Sequence, residues 1–181
     1  MRKPSKSSIP EQIEAWLAEL PAEMPLQAIP KPVQAKELTQ LLADNRVGSR
    51  SMTAALLWLR LGEIDFPHQV VQDDRSELGS YLHGVVHRLE GDFFNAGYWL
   101  RQIRSNTMFN AIAMSIDEQA MATPAAPIQA TWHQELLTPF QPGSFFSACE
   151  NLVGQRNPPE SDLRFLGWLG YAEWRALWIL H

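Results

Sequence analysis

The chain has 181 residues, of which 45% are hydrophobic and 19% charged, with seven tryptophans and a net charge of −5. That length and apolar share are enough for one domain with a sizeable core. The acidic balance leaves no sequence-wide basic footprint for nucleic acid or for anionic lipid, and no apolar run approaches membrane-spanning length.

A single cysteine, Cys149, excludes an intramolecular disulfide and fits a reducing compartment. Residues Met1 to Ser8 carry Arg2, Lys3 and Lys6 but lack the apolar run of a signal peptide. A cytoplasmic location is therefore the expectation. Cys149 itself, beside Phe145 and Phe146, reads as a small buried apolar residue.

In chain order, Ser8 followed by Glu11 has the pattern of a capping box, and Ile9, Ile13, Trp16, Leu17 and Leu20 form a helical stripe. Pro21 ends that helix, and Pro21, Pro25, Pro30 and Pro32 predict an extended connector, since proline lacks the backbone donor and disfavours helix in its neighbour. Residues 1–32 are thus expected to be a helical arm with its connector, and 33–181 an all-α domain. A helix over Gln34 to Ala43 turns Leu38, Leu41 and Leu42 inward. Met52 to Leu61 is apolar almost all round, the pattern of a central helix, and Gly62 closes it. Ile64 to Val71 reads as a turn leading into a short helix that carries His68.

Ser80 to Arg101 reads as helix, Gly91-Asp92 turn, helix, with Gly91 suited to the left-handed position and Asp92 to the N-cap. Asn106 to Met114 is ambiguous, and Met121 to Ile128 is a proline-punctuated loop. Pro139 and Pro142 bracket a turn before two helices, Ser144 to Val153 and Ser161 to Leu180. No segment alternates as a strand does. The expected fold is a single all-α domain of seven or eight helices, built around a tetratricopeptide-like helical hairpin.

Titratable groups gather with usable geometry only on that hairpin. At about 100° per residue, His87 lies near +40°, Glu90 near −20° and Ser80 near +60° relative to His83. The stripe therefore flanks the apolar arc of Leu78, Leu82, Val85, Val86 and Leu89. Two imidazoles one turn apart with a following carboxylate suit a metal, with His68 or His133 as a further ligand. His87 beside Glu90 also suits an oriented base, with Asp92 or Asn95 close by, although nothing marks a nucleophile beyond Ser80 or Cys149. A hydrogen-bonded network between helices explains the same residues, with Arg88, Arg101 and Arg104 available to Glu90 or Asp92.

Gly91-Asp92-Phe93 followed by Ala96 resembles the turn of a single tetratricopeptide hairpin, with no convincing second copy. The segment Gly79-Ser80-Tyr81, His83, His87-Arg88, Glu90, Asp92, Asn95-Ala96 and Tyr98-Trp99 resembles a family of uncharacterised helical proteins, chiefly bacterial with fungal relatives. The likeness extends upstream to Leu57-Trp58-Leu59 and His68 and downstream to Phe145–Glu150 and Glu173-Trp174, about two-thirds of the chain. Leu89 and Gly97 depart from it, as does the loop at Arg156-Asn157-Pro158-Pro159. It implies no activity, but marks His68, His83, His87, Glu90 and Asp92 as a group.

The expected function is a non-catalytic helical protein binding a protein partner, a second copy or a small ligand. Its site would comprise Ser80, His83, His87, Glu90, Asp92, Asn95 and Trp99. The alternative is a metal-dependent hydrolase or oxidoreductase holding zinc, iron or manganese through His83, His87 and Glu90, with His68 as a further candidate ligand.

Overall fold

The computed structural model describes residues 10–104, 106–122, 136 and 140–181. Ser8, Ile9, His133 and the Arg2-Lys3-Lys6 cluster lie outside the described residues. Among those described there are nine helices and no strand: α1 (Glu11–Glu19), α2 (Ala35–Asp44), α3 (Met52–Arg60), α4 (Asp65–Val71), α5 (Glu77–Glu90), α6 (Phe93–Leu100), α7 (Asn106–Ala122), α8 (Pro142–Val153) and α9 (Glu160–Leu180). The chain is an all-α domain. Its elements follow the apolar spacing closely, with one difference. The ambiguous stretch after Arg104 is a 17-residue helix that runs through Met121 and Ala122, where a loop was expected. Ile112 and Ile116, one turn apart and fully buried, give that helix its inward face.

One apolar core spans the domain. α3 lies at its centre, with Ala54 to Leu59 all buried, as a helix lacking a polar face requires. α9 packs against α3, α7 and α8, and α5 packs against α4, α6 and α8. Trp174 donates its indole N–H to the Leu56 carbonyl at 2.7 Å, and Trp178 donates to Glu14 Oε1 at 2.9 Å. Ile13, Trp16 and Leu17 of α1 belong to the same core.

The proline-rich connector is fastened to the body by its backbone. Met24 N–H donates to the Gly167 carbonyl at 2.8 Å, Ala28 N–H to Leu89 at 2.7 Å and Ile29 N–H to Gly62 at 2.8 Å. Arg60, buried against the Tyr171 and Trp174 rings, donates to the carbonyls of Pro21 and Glu23. Burial lowers its pKa to about 10, which leaves it charged at neutral pH.

A polar triad lies inside the core. Tyr81 Oη donates to Glu173 Oε1 and Arg88 Nη2 donates to Glu173 Oε2, both at 2.7 Å, with Glu173 only 1% exposed. The Arg88 guanidinium also lies over the rings of Phe145 and Phe146. Arg88 had been expected to be available to Glu90 or Asp92. It turns the other way because it sits about 160° from Glu90 around α5, on the side that faces α8 and α9. Arg101 and Arg104 form no ion pair with Glu90 or Asp92 either.

Removing one partner of a buried ion pair strands the other. Glu173→Ala should therefore cost about 3–5 kcal/mol in denaturant unfolding. Glu90→Ala, at an exposed position, should stay within about 0.5 kcal/mol of the parent. Similar costs for the two would refute the structural role of the triad.

Candidate functional site

Local sequence positions the hairpin closely. Ser76 caps α5 by accepting from Gly79 N–H at 3.0 Å, and Asp74 Oδ1 accepts from Ser76 N–H at 2.8 Å. A Cβ on Gly79 would come within 2.5 Å of Asp74, so the turn can close onto the helix only over glycine. At the other end Gly91 takes φ +88, with Gly91 N–H donating to the Arg88 carbonyl and Asp92 N–H to that of His87, a Schellman ending. Asp92 then caps α6, accepting from Asn95 N–H at 3.0 Å and Asn95 Nδ2 at 2.7 Å. Gly84 lets α6 approach, since a Cβ there would stand 3.3 Å from the Ala96 carbonyl.

α4 brings the residue that spacing alone could not place. The Glu63 carboxylate accepts from the N–H groups of Asp65 and Phe66 and so starts the short helix. One turn later His68 projects onto α5. Its Nε2 is 3.0 Å from His83 Nε2, and one ring nitrogen from each of His68, His83 and His87 lies within 4.8 Å of the other two. The His83 and His87 rings stack with centroids 4.9 Å apart, and Trp99 of α6 stacks on His83 at 3.9 Å.

The stripe is thus more enclosed than a flank of the apolar face. His83 is 4% exposed because α4 and Trp99 cover it. The His87 side chain is 11% exposed, while that of Glu90 is 52% exposed. Glu90 was expected to share a ligand set with His83 and His87. Instead its Oε2 pairs with His87 Nδ1 at 3.0 Å, and it groups with His87 and Asp92. His68 takes its place among the imidazoles. The reason is geometric, because Glu90 ends α5 on its open side and α4 fills the inner one.

Burial, reinforced by His87 and His68, pushes the His83 pKa down to about 4. Its Nδ1 is buried with no hydrogen-bond partner among the described residues. Asp92 is held below the usual carboxylate range, chiefly by the Asn95 N–H. Cys149 is no nucleophile: it is fully buried, and burial raises its thiol to about 12.

Ser80 stands apart from the imidazoles. With Trp99 it lines a neighbouring cleft of about 630 Å³, between the turn that precedes α5 and the end of α6. Gln72, Arg75 and Gln102 line it too. No local pattern marks Gln72 and Arg75 beyond their closeness to Ser80 in the chain.

Comparison with protein-family models, curated proteins and solved structures finds no match.

A histidine whose pKa falls on folding makes the folded state lose stability as the unfolded chain takes up its proton. In metal-free protein this loss should begin near pH 6.5 and reach about 2–3 kcal/mol by pH 4. The difference in unfolding free energy between the parent and His83→Leu should therefore change over that window. A constant difference from pH 7 to 4 would remove His83 as the source.

Proposed function

We propose that this chain is a metal-binding helical protein in which His68, His83 and His87 hold one divalent transition-metal ion. The observation that carries this is the convergence of three imidazole nitrogens, from two helices, within 4.8 Å. An ion bound tetrahedrally at ordinary Zn–N lengths separates its ligand nitrogens by about 3.3 Å. The His68–His83 nitrogen distance of 3.0 Å is a few tenths short of that.

Two further features support the reading. The first is Glu90 on His87 Nδ1, which leaves Nε2 for the ion and fixes the ring, the role carboxylates have behind metal-bound histidines. The second is the low proton affinity of His83, which keeps a ligand nitrogen free at neutral pH. The three ligands are nitrogen without carboxylate, which favours zinc over manganese. Three protein ligands also leave a coordination position for water or a bound molecule. The family that residues 79–99 resemble brings no activity, so the assignment stands on the imidazoles.

Purified protein should contain close to one zinc per chain by elemental analysis. His68→Ala and His83→Ala should lose it while keeping their helical circular dichroism. Glu90→Gln should retain metal with about 10–100-fold weaker affinity in a chelator competition. A well-folded parent that takes up no zinc, iron or manganese after dialysis would overturn the assignment and leave His68 and His83 as a hydrogen-bonded core pair.

A further inference from the structure

A cleft lies beside Trp99. Its volume of about 630 Å³ falls within the range of small-molecule sites and exceeds what a bare ion needs. Two arginines line it, Arg75 from the turn before α5 and Arg104 beyond α6. Both are exposed, and neither forms an ion pair with a described residue.

Two carboxylates, Asp74 and Glu77, also border the cleft. Asp74 accepts from the Ser76 backbone N–H and stands against Gly79, and Glu77 has a partner of its own. Neither guanidinium is paired with these carboxylates, so both keep their donors for an incoming anion. Guanidinium groups of this kind suit carboxylate or phosphate oxygens.

The interior of the cleft adds a second, independent indication. Ser80 is 4% exposed, and its hydroxyl makes no hydrogen bond with a described residue. It is not sealed off either, because it lines the cleft. A hydroxyl in that position gains a hydrogen bond when a ligand arrives. Tyr98 and Trp99 supply aromatic surface beside it.

We propose that this cleft binds a small organic anion, with Arg75 and Arg104 taking its carboxylate or phosphate group, Ser80 hydrogen-bonding to it and Trp99 bordering its apolar part. The site does not depend on the imidazoles holding a metal. Trp99 nevertheless joins the two places, since it lines the cleft and stacks on His83 at 3.9 Å.

The test uses chelator-treated full-length protein, so that metal binding cannot contribute. Phenyl phosphate is titrated while the Trp99 indole N–H is followed by NMR, its resonance assigned by its loss in Trp99→Phe. Phenyl phosphate should give a saturable shift of that resonance, and benzoate a similar one. The Arg75→Gln/Arg104→Gln double variant, altered only at exposed positions, should weaken binding by at least about tenfold. Ser80→Ala should weaken it less. No saturable shift at millimolar phenyl phosphate, or an unchanged affinity in the arginine double variant, would overturn the proposal. So would inorganic phosphate binding as tightly as phenyl phosphate, because the site would then take an ion alone. Zinc content, measured separately, reports on the imidazoles whatever this titration gives.

Discussion

The Glu173 carboxylate holds the domain in its arrangement. It accepts from Tyr81 and Arg88 within a core otherwise made mainly of aliphatic and aromatic side chains. Tyr81 and Arg88 are seven residues apart and therefore share one face of α5. Binding both to a single carboxylate fixes the rotation of that helix about its axis. His83 and His87 lie about 130° around the helix from that pair. They are thereby turned away from α8 and α9 toward α4 and α6. Apolar contacts alone tolerate some sliding and rotation, whereas two short hydrogen bonds to one buried anion do not.

Glycine sets the distances once that rotation is set. Gly84 allows α6 to come near enough for Trp99 to cover His83, and Gly79 allows the turn after α4 to close over the start of α5. The imidazoles consequently sit between two surfaces, α4 on one side and the Trp99 ring on the other. Enclosure lowers the proton affinity of His83 and strands its Nδ1. Both are costs to folding, of the kind that concentrate at functional sites.

Much of this was legible from local chemistry. The Gly91-Asp92 turn, the apolar arc of α5 and the all-apolar α3 follow from backbone preference and periodicity, which neighbouring residues alone determine. The His83/His87 pair was legible for the same reason, being one helical turn apart. What was not legible depends on packing between distant elements. No local pattern shows that Arg88 turns to Glu173 rather than to Glu90, or that His68 reaches His83 from another helix. Arg60, Glu63, Arg88 and Glu173 are residue types that normally face water, and each is buried because a partner remote in the chain or an adjacent helix end receives it. Composition cannot announce such exceptions. The placement of Ser80 away from the imidazoles belongs to the same class, since 60° around a helix can separate one cavity from another.

The same long-range bonds constrain how the chain reaches this state. Tyr81 and Glu173 are 92 positions apart, Trp174 and Leu56 118, and Trp178 and Glu14 164. During synthesis the early helices leave the ribosome before the segment that covers them has been made. Met24, whose amide hydrogen bond is to Gly167, must likewise wait for it. Each helix can form locally, but closing such wide loops is entropically costly until many contacts form together. Until residues 160–180 have been made, the nascent chain therefore carries exposed leucine-rich surfaces, and the segment that closes the core is α9 rather than the hairpin that carries the site.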